Sequence, residues 1–281
     1  MPKISVLMPL YNTKEKHLRE AIESILGQTF KDFEFIILND SPNNTALDDI
    51  VQSYKDDRIR YYKNEINLGI SESRNKLLEL AKGEYIAIAD HDDISLPKRL
   101  ELENNYLDKH LDIGVVSCNF QFMNSKVITN YPLKNIDIKE ALLSYNCLLH
   151  TGMLIRKSVL VSSNTKYESL YSPAEDYMLC IRLMNFTMFA NIPEVLVHYR
   201  DDDDNTTNIH KEKMIDADRR CRCVATQYTA FKDILSSTCF WLYIFKYIPL
   251  LKIKKDTKAL KVYLFGLIPV FSIIKREKRH E

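Results

Sequence analysis

Four side chains able to hold a metal ion or a proton, Asp90-His91-Asp92-Asp93, follow directly on the apolar run Tyr85-Ile86-Ala87-Ile88-Ala89. A buried strand would deliver these carboxylates together to the surface. Oxygen ligands crowded at one strand end suit Mg²⁺ or Mn²⁺, which take few carboxylates and complete their shells with water and substrate phosphates. Taken alone, the tetrapeptide is equally compatible with an acidic surface turn. A second acidic pair closes the stretch Ser172-Pro173-Ala174-Glu175-Asp176. Its spacing predicts a capping box, with Ser172 as N-cap, Pro173 at the first helical position and Glu175 reaching back. Asp176 has no such duty beyond the general preference for acids at the positive end of a helix, so it is free to face a ligand.

Elements must exist to position these groups. Ile4-Ser5-Val6-Leu7-Met8, ended by Pro9, and Phe33-Glu34-Phe35-Ile36-Ile37-Leu38, stopped by Asn39-Asp40-Ser41-Pro42, read as short buried strands. Between them Leu18, Ala21, Ile22, Ile25 and Leu26 recur at helical spacing, with Asn12 or Thr13 available as cap. A helix through Tyr54, a strand from Ile59 to Tyr62 and a helix from Ser71 to Lys82 come next. Gly83 is expected to close that helix in the left-handed conformation. Further strands are expected near 114–118 and 152–155, with a helix near 138–143. The alternation predicts an α/β class with a mostly parallel sheet and helices on its faces.

Polar residues follow each early strand: Tyr11 and Asn12, Asn39 and Asp40, Asn67 and Gly69, Asp90 and Asp92. In open parallel sheets ligands lie outside the carboxyl ends of the strands, so these clusters are expected to line one crevice suited to a nucleotide. Turn formation accounts for each cluster singly, and less well for all four together.

The chain has 281 residues, 46% of them hydrophobic, enough for one α/β domain with an appendage or for two modest domains. A net charge of +1 argues against a general nucleic-acid binder. The six cysteines show no paired CxxC spacing for zinc, and the chain begins without a secretory signal, so reduced thiols and a cytosolic setting are expected.

Over residues 3 to 200 the chain resembles the inverting, nucleotide-sugar-dependent glycosyltransferases of family two with the GT-A fold, especially those building bacterial surface polysaccharides. The carriers are Pro9-Leu10-Tyr11-Asn12, Ile25-Leu26-Gly27-Gln28-Thr29-Phe30, Asn39-Asp40, Asn67-Leu68-Gly69, Ser73-Arg74-Asn75, Asp90-His91-Asp92-Asp93 and Ala174-Glu175-Asp176-Tyr177. The resemblance implies a Rossmann-like, nucleotide-sugar-binding sheet. Pro9, Tyr11 and Asp40 would hold the base of a UDP donor, with Asn12 and His91 beside the same ligand. Asn67, Gly69 and Arg74 would line the nucleotide pocket, and Asp90 would contact the ribose. Asp92 would ligate Mn²⁺ or Mg²⁺ at the diphosphate. Asp93 and Glu175 would lie on the acceptor side. Asp176 would act as general base on an acceptor hydroxyl, one displacement turning an α-linked UDP-sugar into a β-glycoside. Two other readings stand beside this one. A sugar-nucleotide pyrophosphorylase is disfavoured by the lack of a glycine-rich phosphate loop near the first strand, and a non-catalytic nucleotide-sugar-binding domain by the presence of both Asp92 and Asp176.

One departure concerns the segment after Val197-His198-Tyr199-Arg200. Relatives often place a metal-binding histidine there, whereas this chain reads Asp201-Asp202-Asp203-Asp204-Asn205. An aspartate serves as a hard oxygen ligand, and a solvated acidic loop is the simpler reading of any one of them. His198 is expected to be packed in its strand, and His210 is left unassigned.

The expected organisation is a catalytic domain over 1–205, with a nucleotide half at 1–95 and an acceptor half at 96–205, then a helical, basic and aromatic extension over 206–281. Within the extension Phe245-Lys246-Tyr247-Ile248-Pro249 is echoed by Phe265-Gly266-Leu267-Ile268-Pro269, with Lys254-Lys255 and Lys275-Arg276 beyond. Similar tails occur in the transferases named above. Both apolar stretches fall short of the roughly 20 residues a spanning helix needs. Aromatic residues beside basic clusters suit an interfacial helix on the inner face of the cytoplasmic membrane, where a lipid-linked glycan acceptor would be met; a helical hairpin packed on the catalytic domain or a second subunit is the alternative, placed slightly behind.

Overall fold

The computed structural model describes residues 1–202, 211–233, 239–244, 248–255, 259–264 and 268–274. Strands β1 (Ile4–Leu10) and β2 (Phe33–Asn39) are buried along their whole length, as near-continuous apolar runs must be when helices cover both faces of a parallel sheet. They pair in parallel, β2 pairs with β3 (Ile59–Lys63), and β1 pairs on its other side with β4 (Tyr85–Ile88). Helices α1 (Glu15–Leu26), α2 (Thr45–Ser53) and α3 (Ile70–Leu80) make the crossovers. On α1 the apolar stripe Leu18, Ala21, Ile22 and Ile25 is buried, each of its larger side chains contributing about 1.5–3 kcal/mol through removal from water.

The second half of the sheet is mixed. The short β5 (Ile94–Ser95), α4 (Arg99–Lys109), β6 (Ile113–Phe122), α5 (Asn135–Ala141), β7 (Leu154–Arg156), α6 (Lys157–Ser163), α7 (Glu175–Leu183) and β8 (Met188–Tyr199) give the strand order β3-β2-β1-β4-β7-β6-β8-β5. Here β7 runs antiparallel to β4 and β6, β6 and β8 are parallel, and β5 lies antiparallel to β8. The expected strand near 114–118 extends in both directions, and Gly152 belongs to a 3₁₀ turn (His150–Gly152) rather than to β7.

Three local expectations are corrected. The residue before α1 is Lys14, with no side-chain cap; Asn12 takes a left-handed conformation (φ 45°) and its backbone N–H donates to Ser41 Oγ at 2.9 Å. Gly83 is not left-handed. It is needed for close approach, because a Cβ there would sit 2.5 Å from the backbone nitrogen of Ser5. The capping box at Ser172 does not form: α7 starts at Glu175, no side chain caps it, and the Glu175 carboxylate turns away to an arginine described below.

The chain forms two compact units, Met1–Arg222 and Cys223–Glu281. Helix α8 (Lys211–Asp233) is followed by four strands, β9 (Cys239–Ile244), β10 (Ile248–Lys255), β11 (Ala259–Leu264) and β12 (Ile268–Ile274). They form an antiparallel sheet in the order β12-β11-β10-β9, so the expected helical extension is corrected to strands beyond Asp233. The sequence reason is composition and length. Runs of six to eight residues rich in aromatic and β-branched types favour strands, and Pro249 and Pro269 stand near strand starts where no helix could continue through them. Lys275-Arg276 and the Phe245–Tyr247 and Phe265–Leu267 portions of the echo lie outside the described residues.

Candidate active site

The carboxyl ends of β1 and β2 carry the first group of expected residues. Pro9 lies within β1 and Tyr11 just past it, 55% exposed. Asp40 follows β2, and its carboxylate accepts from the backbone N–H groups of Leu68 (2.8 Å) and Gly69 (2.9 Å) and from Asn64 Nδ2 (2.7 Å). Asn67 Nδ2 donates to the Asp40 carbonyl at 3.1 Å. Gly69 has φ 80°, a conformation that glycine adopts at no steric cost. Asp40 is therefore the clamp of the 64–69 loop, and this loop sets the start of α3.

Arg74, one turn into α3, joins the two halves of the site. Its Nη1 donates to Glu175 Oε1 at 2.6 Å and its Nη2 to Asp90 Oδ1 at 3.2 Å, while the guanidinium lies over the Tyr167 ring, 5.6 Å from the centroid. Asp90 N–H donates to Thr151 Oγ1 at 3.0 Å. Burial pushes the Asp90 carboxyl up, but the Arg74 charge together with His150, His91 and the Arg74 hydrogen bond holds the group below the usual carboxylate range.

The acid turn is bolted down from two sides. Arg99, fully buried on α4, donates to the Ile88 carbonyl (2.8 Å), the Met153 carbonyl (3.2 Å), Ser95 Oγ (2.9 Å) and Glu103 Oε1 (3.2 Å), so one guanidinium ties the end of β4 to β5 and to the approach to β7. Burial pushes Glu103 up to about 7 against the pull of Arg99. Arg200, directly after β8, donates through its backbone N–H to Asp93 Oδ1 (2.8 Å), through Nε to the Asp92 carbonyl (2.8 Å) and through Nη2 to Glu20 Oε2 on α1 (2.6 Å). Asp92 remains partly exposed, with His91 Nδ1 3.9 Å from its Oδ1. Burial, with neighbouring Asp90, raises the proton affinity of Asp92; burial, Asp92 and Asp90 raise that of Asp93 further, and Asp93 Oδ2 is buried without a hydrogen-bond partner.

Asp176 stands in the first turn of α7, where its Oδ2 accepts from Asn146 Nδ2 at 3.1 Å. Burial first, then the adjacent Glu175 charge, push its carboxyl up to about 6, with Arg74 pulling the other way. His150 is buried, shares a 2.9 Å hydrogen bond between Nε2 and the Tyr167 hydroxyl, and is pushed down to about 3 by burial and by Arg74, so it is neutral near pH 7.

Glycosyl transferase family 2 matches the chain over residues 5–161. An uncharacterised glycosyltransferase of Methanocaldococcus jannaschii is 34% identical across 98% of this chain and 92% of its own length. This chain belongs to that family. The amylovoran biosynthesis glycosyltransferase AmsE of Erwinia amylovora is 30% identical over 70% of the present chain and 75% of AmsE. Among solved structures, residues 1–349 of S. aureus TarS in complex with UDP-GlcNAc align with TM-score 0.63 at 20% identity, over 72% of this chain and 60% of that one. The mannosyltransferase PcManGT of Pyrobaculum calidifontis, in complex with GDP-Man and Mn²⁺, aligns with TM-score 0.57 at 14% identity, over 84% of this chain and 76% of its own. The fold is the GT-A fold of this glycosyltransferase family.

In this family 2 transferase, the tertiary structure brings Arg74, Asp90, Glu175 and Asp176 together across more than a hundred residues of sequence, and groups Pro9, Tyr11, Asn12, Asp40, Asn67 and Gly69 at the neighbouring strand ends. It does not gather a metal cage: among the described residues no three His, Cys, Asp or Glu side chains are placed to hold an ion. The excess negative charge at Asp92 and Asp93 instead fits a hard divalent ion held by one or two carboxylates and completed by substrate phosphates. Asp201 is engaged elsewhere, accepting from the Asn124 backbone N–H at 2.8 Å, and Asp202 Oδ2 lies 3.7 Å from His17 Nε2. His198 is in β8 opposite Ile94, pushed down by burial and by Lys126. Asp203, Asp204, Asn205 and His210 lie outside the described residues. The sequence reading missed Arg99, Arg200 and Asn146. Only Arg99 left a signal, a helical i,i+4 pairing with Glu103 inside an otherwise core-facing stripe.

Proposed function

We propose that the chain is an inverting transferase that moves a hexosyl or N-acetylhexosaminyl group from a UDP-sugar to a hydroxyl of a bacterial surface glycan, with Asp176 as general base and Mn²⁺ or Mg²⁺ as cofactor. One observation carries the reading. Asp176 is a partly buried carboxylate pushed up to about 6, so it is mostly ionised at neutral pH yet more basic than an ordinary carboxylate, and Arg74 links its helix to the donor-side acid turn. Support for the donor class comes from the TarS complex with UDP-GlcNAc, and for the product class from the amylovoran transferase.

In this mechanism the nucleotide lies over the ends of β1 and β2, with Tyr11 against the base and the loop clamped by Asp40 bordering it. Arg74 and Asp90 hold the ribose and phosphate side. Asp92 would hold the divalent ion, which when bound neutralises charge on the diphosphate. Asp176 accepts the proton of the acceptor hydroxyl at its Oδ1, since Oδ2 already accepts from Asn146. The acceptor oxygen attacks the anomeric carbon from the face opposite UDP, and the bond from that carbon to the diphosphate breaks with its electrons leaving on UDP. A single displacement inverts the configuration and needs no second carboxylic acid.

We place the catalytic part at 1–205 and assign 206–281 to an extension that meets the cytoplasmic leaflet as a peripheral element close to a lipid-linked acceptor. The aromatic and basic composition of that segment supports this reading, and among the described residues no helix is long and apolar enough to cross a membrane. The test is nucleotide release from UDP-, GDP- and dTDP-sugars with and without Mn²⁺. Metal-stimulated release of UDP, lost in Asp92→Ala, is the expected result; a chain that neither binds nor releases UDP would sink the reading.

A further inference from the structure

Arg74 and Glu175 meet largely away from solvent, their side chains 11% and 5% exposed. The guanidinium is shared, one edge on Glu175 and the other on Asp90. The Glu175 carboxylate is answered on one side only, because its Oε2 is buried and accepts no hydrogen bond. Asp176 is the next residue in the same first turn. Consecutive helical positions point about 100° apart, so Glu175 can face Arg74 while Asp176 faces Asn146.

We propose that the Arg74–Glu175 ion pair is a positioning device for the base: Glu175 holds the guanidinium between the donor-side turn and helix α7, and the balance of the two charges sets the electrostatic field at Asp176. Glu175 is thereby a positioning residue rather than an acceptor ligand. The inference rests on the reading of Asp176 as base for its functional meaning, while its physical content stands on the ion-pair geometry.

The groups that act on Asp176 come from every element around it: Glu175 and Cys180 on α7, Arg74 on α3, Asp90 after β4, Tyr167 before the 3₁₀ turn at Ser169–Tyr171, Tyr131 and Asn146 on the approaches to α5 and β7, and Cys221 on α8. Of these, Arg74, Glu175 and Asp90 carry the formal charges, and the first two act in opposite senses. Removing the Glu175 charge takes away a repulsion and leaves the cation, so Asp176 should ionise at lower pH. Removing the Arg74 charge takes away the attraction, so Asp176 should ionise at higher pH. A role confined to packing has no reason to produce opposite signs.

The experiment is a titration of the full chain labelled with ¹³C at the aspartate carboxyl carbons, without donor or metal, the Asp176 signal being the one missing in Asp176→Asn. The wild-type midpoint is expected at about 6. Glu175→Gln should move it down by about one pH unit and Arg74→Gln up by about one, in line with a charge at short range. Glu175→Asp, which keeps the charge, should restore most of the shift. An unmoved midpoint in folded Glu175→Gln, or shifts of the same sign in both variants, overturns the proposal; if one variant does not fold by circular dichroism, the direction found in the other decides. Separately, Asp176→Asn is assayed for UDP release in the presence of acceptor. Undiminished transfer there removes the base role and leaves the titration result standing.

Discussion

Two carboxylates among the candidate site residues have opposite fates. Asp40 accepts from two backbone N–H groups and one side-chain amide, so its charge is spent on ordering the 64–69 loop. Asp176 accepts one side-chain hydrogen bond and stands beside another carboxylate, so its burial is poorly compensated and its proton is held up to about 6. Burial with matched donors makes a carboxylate part of the framework, whereas burial without them makes it reactive near neutral pH. Asp93 lies between these cases, with one oxygen bonded to the Arg200 N–H and the other unpartnered.

Substitution at each carboxylate should break the comparison in a different place. The largest effect is expected for Asp176→Asn, which should lower transfer by about 10²–10⁴-fold, the usual worth of a general base, while UDP affinity measured by calorimetry stays within a few-fold. A comparable fall in UDP affinity would move Asp176 into the framework class. Next is Asp40→Asn, which turns a donor amide toward backbone N–H groups. A loss of about 1–3 kcal/mol of stability in urea unfolding is expected, together with weaker UDP binding, because the loop loses its clamp. Transfer lost with stability and binding intact would instead mark Asp40 as chemical.

The pH dependence sharpens the contrast. A general base must be ionised, so under the role proposed for Asp176 the rate should be flat above about pH 6 and fall about tenfold per unit below it, with the limb absent from the residual activity of Asp176→Asn. Stability runs the other way. The folded Asp176 holds its proton more tightly than the unfolded chain does, so folding stability should decline as pH rises from about 4 to about 6 and be level above that. Asp176→Asn is therefore expected to be more stable than the wild type at pH 7, by roughly 1–2 kcal/mol in the same urea series; equal stability would show that the burial penalty is met by groups acting equally on both forms. The smallest effect is expected for Arg200→Lys. It retains the charge near Glu20 but loses the fork that also reaches the Asp92 carbonyl, costing about 1 kcal/mol and raising the metal concentration needed for half-maximal UDP release.

The strands and helices of the first ninety residues were legible because each apolar run is continuous or helically spaced and each is bounded by turn residues. Their register and the crossover logic then put Asp40, Asn67 and Asp90 at neighbouring strand ends. Legibility failed where a side chain had two possible partners. Glu175 has the spacing of a capping box, yet a buried cation outcompetes a terminal backbone N–H, so the carboxylate goes to Arg74. Gly83 has the position of a helix stop, yet its need is for space beside Ser5. The segment after Asp233 was misread because short apolar runs carry no decisive period, and pairing between strands settles them.

The amino-acid sequence by itself determined the α/β class and the family, because hydrophobic periodicity and ordered motifs are local properties of the chain. The tertiary structure alone decided which carboxylates are framework and which are poised. That depends on partners such as Arg74, Arg99, Asn146 and Arg200, which come from distant elements and whose charge matters only at the few ångströms that folding brings about.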